Sequence, residues 1–182
     1  MLATAEVREV LKDAELVCSA ECVTQTVQRV AHEIAQTLAG EYPLVLSVMG
    51  GAVVFSGHLL PQLNFPLSFD YLHVTRYGQA IRGGEIEWKV FPDTEISGRT
   101  VLVVDDILDE GHTMTAIRER VLNGGAKRFC SAVLVDKDLG KSKPITADFV
   151  GIRLPNRYLF GFGMDVRGAW RNLPAIYALK GQ

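Results

Sequence analysis

Long apolar runs are missing from this chain. Its most hydrophobic stretch, residues 43–54, is interrupted by Gly and polar residues well short of the roughly 20 apolar residues that cross a bilayer, so no membrane span is expected. A basic excess is missing too. The 19 Lys and Arg are set against 21 Asp and Glu, a formal net charge of −2, which removes the global positive field that non-specific nucleic-acid or membrane binding needs. An anionic substrate must therefore be held by local groups. Cysteine is scarce and odd in number: Cys18, Cys22 and Cys130 show no disulfide-framework spacing and suit a reducing cytoplasm. Cys18 and Cys22 stand four apart, as on one face of a helix, but no Cys or His pair follows at zinc-ligand spacing. Small buried apolar residues are the expectation for both. Residues 1–6 lack a positive segment leading into an apolar core, so no signal peptide is expected and a cytoplasmic location is.

What the chain has in quantity is apolar side chains, 48% of 182 residues, enough for one well-buried core and marginal for two. A single domain over 1–182 follows. Val7, Val10, Leu11 and Ala14 recur at helical spacing through residues 6–16, and Val23, Val27, Val30, Ala31, Ile34 and Leu38 do so through 23–38, with Gly40 placed to end the second helix. A strand at 44–48 runs into Gly50-Gly51, and an apolar helix follows at about 53–63. Residues 67–74 and 86–91 read as strands around a glycine-bearing loop, 101–104 as a buried strand, and 113–122 as a helix stopped by Asn123-Gly124-Gly125. Residues 131–135 and 149–154 supply further strands. Apolar strands alternating with helices predict an α/β fold around a mainly parallel sheet. Ligands of such sheets sit beyond the carboxyl ends of the strands. The segments 48–51, Arg76-Tyr77, Asp105-Asp106, Asp136-Lys137 and Met164-Asp165 would gather there.

Residues 101–113, VLVVDDILDEGHT, carry the sharpest chemical statement. A strand, a tight turn with Gly111 and a helix start make an anion cradle, yet Asp105, Asp106, Asp109 and Glu110 ought to repel an anion. Dividing the turn between two parts of one ligand resolves this. Carboxylates accept hydrogen bonds from vicinal sugar hydroxyls, while the N–H groups of residues 110–113 and the Thr113 hydroxyl donate to a phosphate. A ribose 5-phosphate fits that division. A nucleoside triphosphate loop does not, because His112-Thr113 stands where the Walker Lys-Ser/Thr would follow the glycine.

This stretch closely resembles the phosphoribosyl-pyrophosphate motif of the type I phosphoribosyltransferases. Leu134-Val135-Asp136-Lys137, Asp148-Phe149-Val150-Gly151, the run from Pro155 to Asp165 and Arg171-Asn172-Leu173-Pro174 resemble the hypoxanthine-guanine branch of that family. The resemblance implies the type I fold, with a flexible lid and a small hood. It implies an enzyme of purine salvage that joins hypoxanthine or guanine to phosphoribosyl pyrophosphate with Mg²⁺, giving IMP or GMP and pyrophosphate. Residue by residue, it implies that Asp105 and Asp106 hold the ribose hydroxyls, and that Asp109, as catalytic acid or base, faces purine N7. Asp109, Glu110, Gly111, His112 and Thr113 would surround the 5-phosphate. Lys137 would meet the C6 oxygen, Tyr158 would stack on the ring, and Leu159 would meet the base edge through its backbone. Asp165 would lie by the base and near Mg²⁺, with Asp105 as a second metal-side carboxylate. Met49, Gly50 and Arg171 fall at the pyrophosphate. Met49 departs from the family, which often has a basic side chain there, leaving contact to N–H groups of Gly50 and Gly51. Related enzymes are usually dimers or tetramers, so a homodimer or homotetramer is implied.

Other readings stand beside these. Asp105-Asp106 alone would suit a strand end in solvent or the acidic pair of a phosphotransfer receiver, although receivers carry that pair after their first strand. A regulator on the same fold that binds RNA would need a basic face, and a transferase for adenine or a pyrimidine is disfavoured by Lys137 and the Tyr158 segment. The loop at 77–85, headed by Tyr77 and containing Gly78, Gly83 and Gly84, reads as the lid. His32, His58, His73, Trp88 and Trp170 read as structural, and Arg118, Glu119 and Arg120 as a solvated helix face.

Overall fold

The computed structural model describes residues 4–76 and 86–181. The expected lid, including Tyr77, lies outside them. Along the chain run α1 (Thr4–Lys12), β1 (Glu15–Cys18), α2 (Ala20–Leu38), β2 (Leu44–Met49), α3 (Ala52–Leu59) and a 3-10 turn (Leu60–Gln62). These are followed by β3 (Ser68–Arg76), β4 (Ile86–Val90), β5 (Thr100–Leu108), α4 (His112–Asn123), β6 (Arg128–Asp138), β7 (Phe149–Pro155), β8 (Leu159–Phe160) and β9 (Ile176–Ala178). Six strands form the main sheet in the order β4-β3-β2-β5-β6-β7. All neighbours are parallel except β4, which runs back along β3.

Both faces of the sheet are covered, so its central strands are apolar throughout rather than alternating. In β5 the period of two divides the run: Val101 and Val103 join Met114, Ile117 and Val121 of α4, whereas Leu102 and Val104 join the stripe of α2 on the other face. Helix α2 begins where Ser19 caps it, the hydroxyl accepting from the Cys22 N–H at 3.2 Å. It buries Val23, Val27, Val30, Ala31, Ile34 and Leu38 as the spacing predicts.

Three segments depart from the sequence reading. The helix expected over 6–16 stops at Lys12, and Glu15–Cys18 is a strand, because the C-terminal strand β9 offers it an antiparallel ladder. Local periodicity yields there to a partner about 160 residues away. Strands β1, β9 and β8 make a second, three-stranded sheet, here termed the hood. Arg157 stitches it, donating to the Leu179 carbonyl at 3.2 Å and pairing with Glu15 at 2.8 Å. The second departure is at the cysteines. Ser19 separates strand from helix, so Cys18 and Cys22 do not share a helical face. Their Cα atoms lie 5.7 Å apart and their sulfurs form a disulfide, where two small apolar thiols suited to a reducing cytoplasm were expected; Cys18 is buried as expected. The third is β5, which runs on to Leu108, so Asp105 and Asp106 sit inside the strand rather than in the turn after it.

Trp170 is structural as expected, its indole N–H donating to the Val7 carbonyl at 2.7 Å. His58 packs on Phe162 with ring centroids 4.9 Å apart. Arg120 is not a purely solvated charge, since its guanidinium lies 4.2 Å from the ring centroids of both Trp88 and Phe91.

Candidate active site

The carboxyl ends of β2, β5 and β6 and the hood meet around the acidic turn. A concave site of about 280 Å³ is lined by the continuous run from Asp105 to Met114, so one short stretch of sequence builds its whole wall. Gly111 makes this possible. It occupies the left-handed region at φ 85° and serves as the N-cap of α4, a conformation that carries little penalty only for glycine. Helix α4 starts at His112 and has no acidic residue in its first turn. Its first N–H groups have no partner within the helix and remain available to an anion. Asp109 and Glu110 precede the cap and are exposed. The carboxylates thus lie outside the helix whose amides form the cradle, which answers the apparent conflict of charges in this turn.

Asp105 and Asp106 are held close together. The Asp106 N–H donates to Asp105 Oδ1 at 2.9 Å. Burial first, and then the neighbouring Asp106 charge, hold the Asp105 carboxyl well above its ordinary range. Burial also raises Asp106, against the lowering effects of its hydrogen bond with Asp105 and of the Arg171 charge. Gly51 lies against this pair, for a Cβ there would sit 1.8 Å from Asp106 Oδ2. The 49–51 segment, with a cis Met49–Gly50 peptide, is thereby brought beside the acidic pair.

The hood side closes onto the same place through a second glycine. A Cβ on Gly163 would fall 2.1 Å from the Gly51 carbonyl oxygen, so only glycine permits this approach. Gly163 in turn fixes Arg171, whose Nη1 donates to its carbonyl at 2.6 Å while the Gly163 N–H donates to the Arg171 carbonyl at 2.8 Å. Arg171 Nη2 pairs with Asp165 Oδ1 at 2.5 Å, and Asp165 Oδ2 accepts from the Gly168 N–H at 2.6 Å. Asp165 and Arg171 are therefore one unit.

Across β5 and β6, Lys137 Nζ donates to Asp109 Oδ2 at 2.9 Å; the lysine side chain is only 11% exposed and the aspartate 50%. A nearly buried ammonium and a half-exposed carboxylate thus stand side by side at the mouth of the cradle. Tyr158 is 41% exposed, and Leu159, next in the chain, is buried and paired with Ala178 in the hood. Among the described residues no three His, Cys, Asp or Glu side chains gather as a metal site. One residue that the motif reading passed over is Lys143, which reaches back to the Leu108 carbonyl at 2.7 Å. It sits in a polar loop with no periodic pattern to mark it.

A mainly parallel sheet, a helix N-terminus opened by a left-handed glycine and paired carboxylates inside the strand that leads into it make an α/β protein whose site is chemically suited to a phosphorylated sugar. Residues 19–167 match the phosphoribosyl transferase domain family, and the chain belongs to that family. It is similar to the hypoxanthine-guanine phosphoribosyltransferase of Bacillus subtilis, 31% identical over 167 residues that cover 91% of this chain and 93% of the relative. The enzyme of the same name from Lactococcus lactis is 34% identical over 153 residues, covering 81% and 83%. Among solved structures, a hypoxanthine phosphoribosyltransferase of Staphylococcus aureus superposes with a TM-score of 0.88 at 25% identity, covering 93% of this chain and 94% of that one.

Proposed function

We propose that this protein transfers the phosphoribosyl group of phosphoribosyl pyrophosphate to hypoxanthine or guanine, forming IMP or GMP and pyrophosphate in purine salvage. The observation that carries the choice of base is the Lys137–Asp109 pair, 2.9 Å apart at the mouth of the cradle. A 6-oxopurine presents a carbonyl oxygen at C6 and, on the same edge, a nitrogen at N7. A donor and an acceptor held side by side match that edge, with Lys137 on the oxygen and Asp109 on the N7 proton.

The sugar's 5-phosphate rests on the N–H groups of residues 110–113 and the Thr113 hydroxyl, and its ribose hydroxyls face Asp105 and Asp106. The pyrophosphate lies toward Gly50, Gly51 and Arg171. Tyr158 covers the base and the Leu159 backbone borders it. In the reaction the bond from ribose C1 to the pyrophosphate oxygen breaks, with its electron pair leaving on pyrophosphate, and the bond from C1 to purine N9 forms. Positive charge on the sugar is favoured by the carboxylates beneath it, negative charge on the leaving group by Arg171 and the glycine N–H groups. Asp109 accepts the proton that the base must lose.

Mg²⁺ belongs to this reading as an ion carried by the substrate. Asp165 is engaged by Arg171 and Gly168, and Asp105 with the Asp106 N–H, so the protein offers isolated carboxylate oxygens rather than a cage. That donor set suits an ion whose other positions are filled by phosphate, hydroxyl and water oxygens. When bound, it neutralises developing charge on pyrophosphate.

We treat residues 1–182 as one phosphoribosyltransferase domain, a view supported by the apolar cluster running from hood residues Cys18, Leu159 and Ile176 to Leu102 and Ala132 of the main sheet. A homodimer or homotetramer fits the exposed Phe69 and Tyr71 of β3. Cytoplasmic residence fits a substrate too highly charged to leave the compartment that makes it, and no described helix is long and apolar enough to cross a membrane. The net charge of −2 gives no support to a nucleic-acid or membrane partner. The test is an assay of hypoxanthine, guanine, xanthine, adenine and uracil with phosphoribosyl pyrophosphate and Mg²⁺. Turnover confined to 6-oxopurines, and abolished by a chelator without a change in melting temperature, is the expected result. Turnover of adenine or uracil alone contradicts it.

A further inference from the structure

The acidic turn is held at two points by a segment outside the motif. Lys143, in the connection between β6 and β7, has a side chain only 9% exposed. Its ammonium donates to the Leu108 carbonyl at 2.7 Å and to Asp136 Oδ1 at 2.6 Å. Leu108 ends β5 and immediately precedes Asp109. The same segment backs Gly111 from behind: a Cβ there would lie 3.3 Å from Ile145 Cγ2 and Pro144 Cδ and 3.5 Å from Lys143 Cβ. Ile145 is itself packed against the apolar cluster under α4. Asp109 and Glu110 therefore hang between a carbonyl fixed by Lys143 and a glycine fixed by residues 143–145.

A nearly buried ammonium is costly to keep unless every contact is good. Asp136 alone does not account for it, since the carboxylate has Arg153 within 3.5 Å as a second cation, one that stands in solvent. What Lys143 adds is a charge-assisted bond to a backbone carbonyl at the point where strand becomes phosphate loop. Resting on the phosphate and base roles proposed above, we infer that Lys143 is a positioning residue for phosphoribosyl pyrophosphate: it sets the direction in which the chain leaves β5, and so the alignment of the 110–113 N–H groups and of Asp109. The base keeps contacts that Lys143 does not itself make, through Lys137 of β6 and through Tyr158 and Leu159 of the hood.

The proposal predicts a split between the two substrates. Lys143→Met should weaken ribose 5-phosphate binding, titrated by calorimetry, and raise the KM for phosphoribosyl pyrophosphate by about tenfold or more, the scale of a lost hydrogen bond to a charged group. The KM for hypoxanthine should stay near wild type. Lys143→Arg, with donors for both acceptors and the adjoining cavity of about 500 Å³ to accommodate its larger head, should restore most of the binding. If Lys143→Met does not melt cooperatively, Lys143→Gln, shorter and uncharged, takes its place in the comparison. Unchanged ribose 5-phosphate binding in a folded variant overturns the proposal. So does an equal rise in both KM values, or an equal loss in the Arg variant. A wild-type protein that binds ribose 5-phosphate but transfers it to no 6-oxopurine would sink the function proposed above and leave Lys143 to be judged by the titration. One that binds no ribose 5-phosphate would sink both.

Discussion

Asp105 and Asp106 are carboxylates that the fold holds at the expense of its own stability. Burial raises both above the ordinary range, so the folded chain keeps their protons to higher pH than the unfolded chain does. The stability this contributes is complete below the ordinary carboxylate pKa and is lost as pH rises through the raised one. At neutral pH the pair opposes folding, and on the proposed function ribose hydroxyls that donate to it would relieve that opposition. Asp105→Asn is therefore expected to melt higher than wild type at pH 7, with the gap closing toward acid, while turnover falls away. Melting temperatures of the two proteins across pH decide it, and an equal or lower melting temperature for the variant at neutral pH contradicts the account. Asp109 is different, half exposed and paired with Lys137. Asp109→Asn should lower kcat by about 10²-fold or more, as for a lost general acid-base group, with ribose 5-phosphate binding nearly intact. Near-normal kcat would remove it from the mechanism.

Among the elements, the parts assigned to the substrates were legible wherever a local rule sufficed. The stripe of α2 and the Gly111 turn into α4 follow from spacing and from a glycine that the turn requires, and the central strands β2, β5 and β6 follow from their apolar runs. What stayed hidden depends on distant partners. Strand β1 exists because β9 returns to it, and a four-residue strand of mixed burial carries no periodic mark of its own. Gly51 and Gly163 were visible as glycines, but not the backbone contact that makes them necessary, and Lys143 had no pattern at all. The Cys18–Cys22 bond belongs to this class, because it follows from the break that Ser19 makes between β1 and α2. With only four residues of separation, its closure removes little freedom from the unfolded chain. Reduction should cost no more than about 2 kcal/mol, a fall in melting temperature of at most about 8 °C for a chain of this size, with turnover retained. Loss of the cooperative transition on reduction, read by calorimetry with and without dithiothreitol, would show that the bond carries more of the hood than the fold implies.

For the whole molecule, the main sheet supplies the acidic turn and Lys137, while the hood supplies Tyr158, Leu159, Asp165 and Arg171, joined to the sheet by the contact of Gly163 on Gly51. On the proposed function, sugar phosphate and base are received by two parts of one core. On that same function the choice of base rests on Lys137, whose ammonium has three donors and no acceptor. Adenine would bring an amino group to it and leave both unpaired, and a site built to bond one polar group rejects its non-complementary analogue by about 10⁴-fold. The direct measurement is kcat/KM for hypoxanthine and for adenine in wild type and in Lys137→Gln. The account predicts that wild type uses hypoxanthine and essentially ignores adenine, and that the variant narrows the ratio chiefly by losing activity on hypoxanthine. A ratio unchanged by the substitution would contradict it, because the side chain that reads C6 would then be some residue other than Lys137.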